Sequence, residues 1–138
     1  MILLDTNVLS ALMRTAPENK VVAWLDNQPP DSVWITSITT LEVRFGLEIL
    51  ATGKKRTALL HAFDSLLEVI NHRVAAFDAA AAESAADLMA RRQRAGRPVD
   101  LRDTMIAGIA IARRASVATR NISHFADAGI SVINPWAE

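Results

Sequence analysis

Cysteine is absent from this chain. That absence removes disulfides, thiolate nucleophiles and cysteine-ligated zinc together, and it fits a reducing cytoplasm. Long uncharged apolar runs are also missing. None approaches the ~20 residues that a membrane-spanning helix needs, so no membrane association is expected. The opening apolar run, Met1 to Leu4, is cut by Asp5 and has no basic region before it, which argues against a signal peptide. No excess of charge of one sign exists either, since 15 Lys and Arg balance 15 Asp and Glu. A protein that coats long nucleic acid is ordinarily basic, because counterion release supplies much of its affinity. Balance excludes that broad role but leaves room for a compact site in which a few carboxylates hold cations. A P-loop is excluded by the lack of a glycine-rich GK[ST] segment. A phosphoryl-accepting receiver domain is discounted, because Asp5 is followed by Thr6-Asn7 and no lysine lies beyond Lys55. His61, His72 and His124 show no zinc-type spacing.

What is present is one domain's worth of core. The 138 residues are 51% apolar, ample for a single hydrophobic interior over 1–138. No repeat or disordered tract interrupts them, and the alanine-rich stretch from Ala75 to Ala90 reads as helix rather than linker.

Short apolar runs alternate with longer helical patterns, the signature of an α/β protein with a parallel sheet. The pattern predicts strands at Ile2–Leu4, Val33–Thr36, about Arg73–Phe77, Ser116–Thr119 and Ile130–Ile133. Helices are predicted at about Asn7–Arg14, Val21–Asp26, Thr40–Ala51, Lys54–Leu67, Asp78–Ala95 and Leu101–Arg114. Thr52-Gly53 divides the third and fourth helices into a hairpin. With the apolar face of the first helix, this hairpin could form a groove for a partner's segment or a homodimer interface. The arginines at 91, 92 and 94 and at 113 and 114 read as solvated helix faces. Trp24, Trp34 and Trp136 read as packing residues rather than base-stacking platforms.

Acidic residues fall where this arrangement would gather them. Asp5 lies at the C-terminal end of the first strand, where ligands of open α/β sheets bind beside the reversal of strand order. Glu42 stands near the start of the helix after strand two. Asp103 opens the helix leading into strand four, and Asn121 lies just beyond that strand. Each has a structural alternative. Asp5 could cap the helix it precedes. Thr39-Thr40-Leu41-Glu42 matches a capping box in which Glu42 bonds back to the backbone. Asp100 and Asp103 could serve the dipole of their helix. Together, however, three acids at one end of a sheet are costly unless a cation neutralises them. An all-oxygen set of this kind suits Mg²⁺, with Mn²⁺ as a substitute. Such an ion can lower the pKa of a water and neutralise charge on a phosphate, so no side-chain nucleophile is needed.

These residues carry a resemblance. Ile2-Leu3-Leu4-Asp5-Thr6-Asn7 resembles the first motif of PIN domains, and Leu41-Glu42-Val43-Arg44-Phe45-Gly46 the second acidic motif. Asp103-Thr104-Met105-Ile106-Ala107 resembles the third, Ala118-Thr119-Arg120-Asn121 the fourth, and Val132-Ile133-Asn134-Pro135-Trp136 the closing segment. The matches run in order along essentially the whole chain. The nearest group resembled is the VapC toxins, in their FitB-like branch. The resemblance implies a three-layer fold with a five-stranded parallel sheet of order 3-2-1-4-5 flanked by helices. It also implies a divalent-metal-dependent endoribonuclease, the toxin of a VapBC-type pair, that hydrolyses RNA phosphodiesters. A homodimer is implied, neutralised by a small antitoxin with a DNA-binding N-terminal part, with operator DNA contacted only through that complex. The catalytic set implied is Asp5, Glu42, Asp103 and Asn121, with Asp5, Glu42 and Asp103 as metal ligands. The alternative is a non-catalytic PIN-fold interaction module acting through its antitoxin-like partner.

The chain departs from the family at Asn121, where relatives often carry an acid. A neutral amide can ligate or orient water but adds no negative charge, so one firmly held ion and a weaker second are expected. Asp100 is a possible substitute, and His124, three residues on, stands where some relatives have an acid. Thr6 and Thr119 are candidate hydroxyls behind the carboxylates. Arg44 and Arg120 are candidates to meet RNA phosphate, or alternatively to pair with the site's acids.

Overall fold

The first apolar run, Ile2–Leu4, forms β1, the middle strand of a five-stranded sheet in the computed structural model, which describes residues 1–137. Glu138, the last residue of the expected domain span, lies outside the described residues. The other strands are β2 (Val33–Thr36), β3 (Val74–Ala75), β4 (Ser116–Ala118) and β5 (Val132–Ile133). All pairings are parallel and the order is β3-β2-β1-β4-β5, as the resemblance implied. Between them run α1 (Thr6–Met13), α2 (Asn19–Asp26), α3 (Ser37–Ile49), α4 (Lys54–Val69), α5 (Ala79–Arg94) and α6 (Leu101–Arg113).

Alternation along β1 makes the three layers. Leu4 joins a cluster with Val8 and Leu9 of α1, Trp24 of α2 and Phe63 of α4, while Leu3 faces Leu88 of α5 and Ile106 and Ile109 of α6. Successive strand side chains point to opposite faces, so adjacent leucines feed two cores. A strand apolar at every position is what a sheet covered on both sides requires. The α5–α6 contact depends on Gly108, where a Cβ would meet the Ala81 carbonyl oxygen at 2.5 Å and Ala85 Cβ at 2.7 Å.

Two boundaries differ from expectation in ways that matter. Helix α3 starts at Ser37, because Thr36 is its cap and accepts from the Thr39 N–H at 3.0 Å. Glu42 therefore lies more than a turn inside the helix, and the capping box weighed as its structural alternative does not form. Strand β3 is two residues long and β5 starts at Val132, because pairing with the neighbouring strand covers only those positions.

Sheet reversal falls between β1 and β4. Leu4 pairs with Ala118, and the Asp5 N–H donates to the Ala118 carbonyl at 2.9 Å. The residues after both strands, Asp5 and Thr119, are thereby set side by side.

Candidate metal centre

Asp5 is buried and sits where β1 becomes α1. It is both the expected site residue and the helix cap. Oδ1 accepts from the Thr6 N–H at 2.8 Å, while Oδ2 accepts from the Thr119 hydroxyl at 2.7 Å and the Asn7 amide at 3.2 Å. Thr119 is fixed in turn: its oxygen accepts from Asn7 Nδ2 and from the Asn121 N–H. Asn7, given no role on sequence grounds beyond its place in a motif, thus braces both, and its Oδ1 accepts from the Arg120 N–H at 3.1 Å. Its spacing two residues after Asp5, at a strand-to-helix junction, was the available signal.

Glu42 reaches the same region from α3. Its Oε1 accepts from the Thr6 hydroxyl at 3.0 Å, and its Oε2 lies 3.6 Å from Arg102 Nη1. Asp103, in the first turn of α6, contacts His124, whose Nδ1–H donates to Oδ2 at 2.6 Å. Asp100 caps α6 through the Arg102 N–H, the structural role weighed for it.

The electrostatics tie these acids into one group. Burial pushes the Asp5 carboxyl above its ordinary range, against the pull of the Thr119 and Thr6 hydrogen bonds, and the charge of Asp103 pushes it further. Burial likewise raises Glu42, with Asp5 and Asp103 adding to the rise while Thr6 and Arg102 oppose it. Asp5 and Glu42, both raised by burial and by neighbouring acids, are short of positive charge.

Among the described residues, no three acidic or histidine side chains stand close enough to chelate an ion as they are placed. Glu42 leans toward Thr6 and Arg102, and Asp103 toward His124, as repelling carboxylates do when each finds its own donor. The donor chemistry nevertheless fits a hard divalent cation: carboxylate oxygens, mutual repulsion, and threonine hydroxyls oriented behind two of them.

The remaining expected residues are placed as follows. The Asn121 side chain is exposed and makes no hydrogen bond among the described residues; of the fourth motif, Thr119 touches Asp5, and His124, three residues beyond Asn121, touches Asp103. Arg44 pairs with Glu48 at 3.6 Å on the exposed side of α3. The Arg120 guanidinium lies over the Trp136 ring, 4.8 Å from its centroid. Neither arginine pairs with the acids Asp5, Glu42 or Asp103 among the described residues.

Arg92 overturns its expected place on a solvated face. It is 2% exposed. Nε and Nη2 donate to the Asp127 carboxylate at 3.0 and 2.7 Å, Nη1 to the Thr104 hydroxyl at 2.9 Å, and Nη2 to the His124 carbonyl at 2.6 Å. One side chain of α5 thus ties α6 to the segment carrying His124.

Comparison with known proteins gives a consistent result. The model of the PIN domain family matches residues 2–130. The chain is 41% identical to the VapC ribonuclease Y4jK of Sinorhizobium fredii, over 99% of this chain and 98% of that protein. It is 36% identical to toxin FitB of Neisseria gonorrhoeae, with 99% of each covered. The solved structure of FitAB bound to an IR36 DNA fragment matches with a TM-score of 0.89 at 36% identity, covering 99% of this chain and 96% of that one.

Proposed function

On the premise that this chain belongs to the PIN-domain family, in its VapC-type branch, we propose that it is a divalent-metal-dependent endoribonuclease and the toxin of a VapBC-type pair. The observation that carries the proposal is the grouping of Asp5, Glu42 and Asp103 at the β1–β4 reversal, where the charges of Asp103 on Asp5 and of both on Glu42 are felt. These three carboxylates would hold Mg²⁺, or Mn²⁺ in its place. Bound there, the ion supplies positive charge to the phosphodiester and lowers the pKa of a hydrolytic water.

The chain's own residues do the rest. Thr119 and Asn7 fix the orientation of Asp5, so its donor oxygens are held before a ligand arrives, while Glu42, bonded to Thr6, and Asp103, bonded to His124, would swing in to complete the set. A carboxylate not fully engaged can take a proton from water. Asn121, neutral and exposed, is a candidate to orient water rather than to hold charge, which supports one firm ion and a weaker second.

For partners, the antitoxin reading is supported by a cleft of about 350 Å³ between α1, α3 and α4, lined by Ser10, Met13, Val43, Leu47 and Leu50 and bordered by Thr6 and Glu42. A partner segment in it would lie against the site. Operator DNA would be reached only through that complex. The homodimer reading is supported by an apolar stripe on α3, where Leu41, Phe45 and Ile49 are 58%, 59% and 69% exposed. No helix among the described residues is long and apolar enough to cross a membrane.

The test is cleavage of mixed RNA by the wild type, by Asp5→Asn, and by the wild type with chelator. Cleavage should require Mg²⁺ or Mn²⁺ and be lost in the variant. Equal cleavage by wild type and Asp5→Asn would detach the nuclease activity from this site, and no cleavage by the wild type would favour the non-catalytic module.

A further inference from the structure

We propose that Arg102, rather than Arg44 or Arg120, receives the scissile phosphate; this rests on the ribonuclease reading of the carboxylate site. Arg102 occupies the first turn of α6, one residue before Asp103. A cation there opposes the helix dipole, so helix stability does not account for it. Its guanidinium stands half-exposed at the rim of the site, 3.6 Å from Glu42 Oε2 on one side and 3.6 Å from Asp100 Oδ1 on the other.

Both separations are too long for hydrogen bonds. The two acids therefore hold the guanidinium by charge alone, and among the described residues none of its side-chain N–H groups has a hydrogen-bond acceptor. A planar fork of free donors beside carboxylates is suited to a phosphate with two oxygens to offer. Of the two arginines expected from sequence, Arg120 lies over the Trp136 ring, and Arg44 stands beside Glu48 on the exposed side of α3, in ion-pair reach of none of the site's acids among the described residues. Arg102 is also the one cation in ion-pair reach of Glu42 among the described residues. An ion taken up by Glu42 would compete with it for that carboxylate and leave the guanidinium to the incoming strand.

The experiment compares wild type, Arg102→Gln, Arg102→Lys, Arg44→Gln and Asp5→Asn on a random-sequence single-stranded RNA pool, with Mn²⁺ binding measured by calorimetry for each. Removing one preorganised donor to developing phosphate charge lowers rates by about 10²–10³-fold. For a rim-exposed group we expect about 100-fold in kcat/KM for Arg102→Gln, partial recovery in Arg102→Lys, and less than a threefold change in Arg44→Gln. The slope of log(kcat/KM) against log[salt] should be shallower by about 0.7 in Arg102→Gln, the share of one single-strand phosphate contact. Its Mn²⁺ affinity should equal or exceed the wild type's.

Arg102→Gln cleaving within threefold of wild type would overturn the proposal. So would a loss of activity that tracks a loss of Mn²⁺ binding, which would mean that Arg102 serves only the carboxylates. If Asp5→Asn also cleaves like wild type, the ribonuclease reading itself fails, an outcome separable from failure at Arg102 alone.

Discussion

Replacing Arg92 with alanine removes the best-connected polar side chain among the described residues. Its guanidinium is enclosed, and the change leaves the His124 carbonyl without its donor and Asp127 without its counter-ion. Thr104 loses less, because its hydroxyl still donates to the Asp100 carbonyl at 3.0 Å. Breaking a buried ion pair from one side costs about 3–5 kcal/mol. The Asp127 side chain is 28% exposed, so water can partly replace its partner, and the lower end of that range, about 3 kcal/mol, applies. For a domain of this size each kcal/mol lowers Tm by roughly 3–5 °C, so a drop of about 9–15 °C is expected in a calorimetric or circular-dichroism melt.

The pH dependence follows from Asp127. Its carboxyl is held below its ordinary range, chiefly by the hydrogen bonds from Arg92. A depressed folded-state pKa contributes stability that is present above the unfolded-state value and is lost as pH falls through the folded one. The gap between wild type and Asp127→Asn should accordingly be widest near neutrality and close in acid below the ordinary aspartate range. A fall of less than about 3 °C in Arg92→Ala would refute the reasoning, and so would a gap that is unchanged by acid.

Other expectations follow from single contacts. Gly108→Ala should destabilise by about 1–3 kcal/mol in urea unfolding despite better helix propensity, because its Cβ would press on the Ala81 backbone. A neutral or stabilising result would mean that α5 and α6 can separate freely. Thr119→Val removes the 2.7 Å bond to Asp5 and should weaken Mn²⁺ binding about 10–100-fold in calorimetry; an unchanged affinity would show that the hydroxyl does not orient the carboxylate. Asp5→Asn should melt above the wild type in chelator near neutral pH. Burial raises the Asp5 pKa in the fold, so its contribution is fully present below the unfolded value and declines as pH rises through the folded one. The variant's advantage should vanish in acid; a lower Tm at neutral pH would contradict this.

The strands and the acids at their ends were legible because each rests on local pattern: apolar runs ending in Asp5, Thr36 and Thr119, followed by helical periodicity. The strand order was implied by the family resemblance and not by that pattern. The start of α3 was misplaced because Thr36 and Thr39 are both good caps, and only the register of β2 makes Thr36 the residue that turns. Arg92 was invisible for a different reason. Three arginines in the last turn of α5 are what a helix dipole favours on a solvated face. Nothing local marks which of them turns inward to meet Asp127, 35 residues later. The same holds for Arg102, which capping logic would place in solvent and which acquires meaning only from Glu42 on another helix.

The claim that Asp5, Glu42 and Asp103 together hold one ion is tested most directly by Mn²⁺ calorimetry on the wild type and on Asp5→Asn, Glu42→Gln and Asp103→Asn. The account predicts one firm site per chain, weakened at least tenfold by each substitution, with any second site clearly looser. Two equally tight sites, or a firm site indifferent to any one of the three substitutions, would contradict it.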